Sequence, residues 1–251
     1  MAALKDKYEL AKAASELRRR LGEDDHSYID VFQLARTIES LTLVFYPMGE
    51  RISGMCLKGI EDVLIAINSS MTYGRQRFSM AHELYHYFYD DMNTMICSWD
   101  IVETSDVEKN ANIFASFFLA PPAALSTAIK ETKKSRPVLD RTGVVKLEQM
   151  FGMSRQAMLI RLADEGELSY VDTASMRTSI IAHALSLGYD DTLYRPLPED
   201  KARMTYGRYI KRAEDLLNRG LISDGKYEEL LLEAFRADLV YGLDEGGELV
   251  D

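Results

Sequence analysis

Three apolar runs follow one another between Leu41 and Ser69: LTLVFYP, ISGMCLK and VLIAINS. They are rich in branched and aromatic residues, and only MGER and GIED separate them. Such connections are too short for a crossover helix, so the pattern predicts a three-stranded antiparallel meander. Elsewhere the apolar residues recur at helical spacing. Leu10, Ala13, Ala14, Leu17 and Leu21 define a first helix, and Val31–Glu39 a second. The expected class is α+β: mostly helical, with a small three-stranded antiparallel sheet packed beside the helix that follows it, and a helical C-terminal region.

That next helix begins near Arg75 and contains HELYH, His82 to His86. VEKNANIFASFFLAPP is helical until Pro121 and Pro122 stop it. Further helices are expected over Ala123–Lys133, Val144–Met150 and Ser154–Glu165. YRPLPED, from Tyr194, reads as a linker. The tail reads as a helical pair. Tyr206, Tyr209, Ile210, Ala213, Leu216 and Leu217 line one helix, and Tyr227, Leu230, Leu231 and Ala234 the other. Gly220 ends the first and Ser223 starts the second.

The 251-residue chain carries a net charge of −10. A surface of that sign repels a phosphate backbone, so direct DNA binding is not expected, while a basic protein partner is favoured. Two cysteines, Cys56 and Cys97, are too few for a disulfide scaffold or a four-cysteine metal site and are expected to be buried or inert. No membrane span and no secretion signal is visible, so the cytoplasm is the expected location.

HELYH is the stretch that carries chemistry. Positions i and i+4 of a helix lie about 40° apart, so His82 and His86 point the same way and can share one metal ion. Glu83 lies about 100° round from His82, poorly placed to ligate but near enough to act on a water at the metal. Two histidines on a helix margin would be the plain alternative. Against it, the arc of Phe78, Ala81, Leu84, Tyr85, Phe88 and Tyr89 buries the helix beside them. A catalytic zinc site needs a third protein ligand. Tyr89 and Met92 occupy the positions where an extended HExxHxxGxxH pattern would need Gly and His, which leaves Glu103, Asp106 and Glu108 downstream. The apolar face Ala111, Phe114, Ala115 and Phe118 extends back by one turn to Glu108, whereas Asp106 suits a helix cap. Asn112, one turn after Glu108, is placed to hydrogen-bond to that carboxylate.

These segments resemble, in order, the ImmA/IrrE-type zinc metallopeptidases over roughly Leu10 to Gly166. ISGMC and VLIAINS are similar to that family's strand pair, RQRFSMAHELYHY to its active helix, EKNANIFASFFLAP to its Glu-x-x-Ala-Asn-x-Phe-Ala helix, and LEQMFGMSRQAMLIRL to a helix-turn-helix-like element. The resemblance implies His82, His86 and Glu108 as ligands of one Zn2+, or of Mn2+ or another divalent ion, with Glu83 as catalytic base. Tyr85 stands where many members have Gly, and Asn110 where many have a second acid.

The resemblance also implies an endopeptidase that cuts a helix-turn-helix transcriptional repressor and so relieves repression. The alternative is a metal-containing regulator that displaces a repressor without cutting it. The implied organisation is a metallopeptidase domain over 1–125, a helix-turn-helix-like extension over 126–168 and a helical tail over 169–251. Tyr73, Tyr85, Tyr89 and His183 are candidate oxyanion donors. Arg75 and Arg77 are expected to act structurally. Arg155 and Arg161 would be the cations available if Leu147–Leu162 read DNA.

Overall fold

The computed structural model describes residues 4–90, 94–98, 105–134 and 138–242. The chain opens with α1 (Lys7–Arg20) and α2 (Val31–Arg36), continues through β1 (Leu41–Tyr46), β2 (Ile52–Lys58) and β3 (Val63–Asn68), and enters α3 (Tyr73–Tyr89). β4 (Thr94–Ser98) precedes α4 (Asp106–Leu119) and α5 (Pro122–Lys133). Then come α6 (Arg141–Phe151), α7 (Arg155–Asp164), α8 (Tyr170–Ser175) and α9 (Ile180–Ser186). The C-terminal part holds β5 (Met204–Gly207), α10 (Arg208–Asn218), α11 (Asp224–Glu233) and α12 (Ala237–Tyr241). The α+β class and the helical C-terminal region hold; the antiparallel meander does not.

Among the described residues the sheet has five strands, in the order β4-β2-β3-β1-β5. β1 runs parallel to β3, with Leu41 opposite Val63 and Tyr46 opposite Asn68. β2 lies on the far side of β3 and antiparallel to it, from Gly54↔Ile67 to Lys58↔Val63. The chain leaving β1 therefore steps across the place that β3 will fill. Two strand spacings amount to about 9.6 Å, and a five-residue link reaches roughly 16 Å, so a short connection does not compel its flanking strands to pair. Burial decides the order. VLIAIN is almost continuously apolar rather than alternating and is buried nearly throughout, as suits a central strand. Asn68, at its end and 1% exposed, locks the crossover. Its amide donates to the carbonyl of Ile52 at 2.7 Å, and its Oδ1 accepts from Met48 N at 3.0 Å.

Two outer strands went unread. β4 pairs antiparallel with β2. β5 comes from the C-terminal part and pairs antiparallel with β1, Thr42 opposite Gly207. Tyr206 thus belongs to a strand and not to the helix after it. α10 and α11 form the expected pair, with Gly220 in the left-handed region (φ +65°) and Ser223 capping α11 through Lys226 N.

α3 packs on β2 and β3 of the sheet and on α4, and α1 packs on α4. Phe114 is the hub of that layer, its ring 5.5 Å from Tyr85, 5.4 Å from Tyr89 and 5.6 Å from Phe118. Arg77 ties α3 to its surroundings. Its guanidinium is fully buried, donates to the carbonyls of Gly152 (2.9 Å) and Ile29 (2.6 Å), and sits over the Tyr28 ring. No single helix among the described residues is long and apolar enough to cross a membrane.

Candidate metal centre

His82 and His86 project one turn apart from the middle of α3, and Glu108 projects from the first turn of α4. Ser105 caps α4 by accepting from Glu108 N at 3.4 Å, so the helix start sets the position of that carboxylate. One ligand atom from each of the three residues lies within 4.8 Å of the others. The Nε2 atoms of His82 and His86 are 3.0 Å apart. Glu108 Oε2 is 3.2 Å from the first and Glu108 Oε1 is 3.3 Å from the second.

The opposite ring nitrogens are occupied. His86 Nδ1 is 3.0 Å from Asp90 Oδ2, and His82 Nδ1 is 3.0 Å from Asn112 Oδ1. An ionised carboxylate can only accept, so Nδ1 carries the proton of His86, and the Asn112 carbonyl assigns the same tautomer to His82. Both Nε2 lone pairs then face each other and a carboxylate. Three acceptors with no proton among them repel unless a cation lies between them. Ligands at about 2.05 Å around a tetrahedral ion stand roughly 3.3 Å apart, which the observed separations match.

Glu83 is fully buried on the strand side of α3. It lies against Gly54 of β2, where a Cβ would come within 2.6 Å of Glu83 Oε1. A glycine inside a strand often marks such a close approach, and that signal could have singled out Gly54. Cys56, two residues on, is also buried. Burial, and then the charge of Glu83, push its thiol up to about 12. At pH 8 its thiolate fraction falls about a thousandfold below that of an ordinary cysteine. Iodoacetamide followed by peptide mass spectrometry should therefore label Cys56 only after denaturation; rapid labelling of the native protein would contradict this environment.

The structure brings ligand atoms of His82, His86 and Glu108 together, while Glu83, on the same helix as the two histidines, is buried against Gly54. Asn112 is placed differently, since its Oδ1 supports His82 although periodicity assigned it to Glu108. Facing α3 from one turn beyond Glu108 brings it within reach of the imidazole. Asp90 was overlooked, although it stands four residues after His86 at the helix end, on the face where a histidine partner belongs. Glu103 and Cys97 lie outside the residues whose side chains are described. The candidate oxyanion donors do not line the cavity that opens beside His82. The Tyr85 ring packs on Phe114, Tyr89 Oη donates to the Ala13 carbonyl at 3.0 Å, and the Tyr73 ring packs on Phe32. His183 sits on α9, which packs against α6. Arg75 does line that cavity.

The arginines of the helix-turn-helix-like element face inward. Arg155 is 3% exposed and Arg161 4%. Arg155 pairs with Glu148 through two contacts of 2.7 Å, and Arg161 pairs with Glu165 at 2.8 Å. Neither is presented to a phosphate backbone.

A helix bearing HExxH, with a third acidic residue converging from a neighbouring helix, defines a metallopeptidase type of site. Residues 53–163 match the model of the family Peptidase_M78, described as the IrrE N-terminal-like domain. The matched segment runs from β2 to α7 and contains His82, Glu83, His86, Asp90, Glu108 and Asn112. No curated protein matches the chain.

Proposed function

We propose that the protein is a metal-dependent endopeptidase in which His82, His86 and Glu108 hold one divalent ion, zinc in the first instance, and Glu83 is the base. The observation that carries this reading is the convergence of two imidazole lone pairs and a carboxylate with no proton between them. When bound, the ion supplies Lewis-acid polarisation of the scissile carbonyl and acidifies the attacking water. Glu83 accepts a proton from that water at its carboxylate and passes it to the nitrogen of the leaving amine. Asp90 and Asn112 keep the two imidazoles in the tautomer that leaves Nε2 free to coordinate. The substrate we propose is a helix-turn-helix transcriptional repressor. The resemblance of the active helix and of α4 to the ImmA/IrrE type supports this, and the acidic net charge suits a basic partner.

The test begins with chelator-treated protein. One equivalent of zinc should bind per chain, measured by calorimetry and elemental analysis, and His82→Ala should lose it. Failure of the wild type to take up any divalent ion would end the proposal. A finer test uses the close approach of β2. Gly54→Ala should still bind the ion but cut substrate about a hundredfold more slowly, because the new methyl displaces the Glu83 carboxylate. An unchanged kcat would show that the position of Glu83 does not matter.

A further inference from the structure

Two helical stripes face one another across a cavity of about 150 Å³ that opens beside the metal centre. On α3 the stripe is Arg75, Phe78, Ser79 and His82. On α7 it is Ala157, Ile160, Arg161 and Asp164. Each follows the i, i+3, i+4, i+7 spacing of one helix face. Ile113 of α4 and Ser53 of β2 also line it. Phe78, Ile113, Ala157 and Ile160 are only partly buried although they pack in the interior of the matched domain, because they border this space. Met158, Leu159 and Leu162, on the other face of α7, are wholly buried. The α7 face that a helix-turn-helix would turn to DNA is therefore turned toward the metal centre.

We propose that this cavity is the pocket that selects the substrate residue beside the scissile bond, and that it takes a large apolar side chain such as leucine, methionine or phenylalanine. This rests on the peptidase reading above. Size and lining set the occupant. An apolar protein cavity of about 150 Å³ accommodates a benzene ring, so a branched or aromatic side chain fits whereas alanine leaves it unfilled. Phe78, Ile113, Ala157 and Ile160 supply the hydrocarbon of the wall, and Ser53, Ser79, Ser116 and Gln156 add neutral polar groups to it. Arg161 adds a donor. Its Nε is held by Glu165 and its Nη1 by Ser116 at 3.0 Å, while the buried Nη2 has no hydrogen-bond partner in the protein. A substrate carbonyl entering with the side chain satisfies it.

The experiment has two arms. In the first, the zinc-loaded enzyme cuts a peptide library varied around the scissile bond. Wild type should favour large apolar residues at one flanking position by about tenfold or more over alanine and glycine. Ala157→Phe, which fills the cavity, should reverse that preference, and Ile160→Ala should extend it to tryptophan. An unaltered preference in a folded Ala157→Phe protein overturns the proposal. The second arm does not depend on turnover. 4-Methylpentanamide, a leucine-like probe, should shift the methyl resonances of Ile113 and Ile160 in wild type and not in Ala157→Phe. Shifts without any cleavage would uphold the pocket and reject the peptidase reading. Glu83-dependent cleavage with no side-chain preference and no shifts would do the reverse.

Discussion

Glu83→Gln should retain its metal and lose its activity. The amide is nearly the shape of the carboxylate and fits the space that Gly54 leaves, so the two histidines and Glu108 are undisturbed and the ion binds with the same stoichiometry. What is lost is an acceptor for the proton of the attacking water, a role worth about 10²- to 10⁴-fold in rate. The measurement pairs zinc content with the appearance of fragments from a helix-turn-helix repressor offered as the proposed substrate, resolved by mass spectrometry. Full cleavage by the variant would remove Glu83 from the role of base. If the wild type displaces the repressor from its operator and produces no fragments, the protein is instead a metal-containing regulator.

The second large effect concerns stability. Arg155→Ala should destabilise the protein by about 3–5 kcal/mol, because it strands a charge in the interior. Glu148 is fully buried. It receives both arms of the Arg155 guanidinium and the Tyr194 hydroxyl, the latter at 2.6 Å. Burial, and then this hydrogen bond to Glu148, raise the pKa of Tyr194 above its ordinary value. Arg155 also donates to the Met176 carbonyl at 2.8 Å, so the Arg155–Glu148 pair joins α6, α7, the end of α8 and, through Tyr194, the segment after α9. A drop in Tm of roughly 10 °C is expected for a chain of this size. The double variant Arg155→Met with Glu148→Leu should recover most of it, since no charge is then left unpaired. A single variant that melts with the wild type would show that Glu148 is satisfied without Arg155.

The site was more legible than the sheet, for physical reasons. Ligand geometry on a helix follows from its period, so the spacing of His82 and His86, and the phase of Glu108 on its apolar face, carry three-dimensional information locally. Strand order does not. Nothing within β1, β2 or β3 says which of them pair, and the continuous apolar character of β3 was the only local sign that it belongs in the centre. β5 was missed because four residues next to a strongly amphipathic helix are absorbed into its pattern. α8 was missed although its capping box, Ser169 with Asp172, is written in the sequence. Arg155 and Arg161 looked available for DNA because charge predicts exposure until a buried partner is known. Glu148 is such a partner, and it stands one helix earlier.

The last strand of the sheet has a consequence for how the protein is made. The outer edge of β1 is covered by β5, and 167 residues separate Thr42 from Tyr209, which hydrogen-bonds to its hydroxyl just past that strand. At ribosomal speeds of roughly 5–20 residues per second, β1 emerges many seconds ahead of the segment that shields it. Through that interval the nascent chain carries an apolar strand with an open row of amides and carbonyls, ready to pair with another copy. Yield in the cell should then depend on whatever shelters emerging chains, and shortening the polypeptide before Met204 should give aggregates even though His82, His86 and Glu108, the candidate metal ligands, all lie upstream.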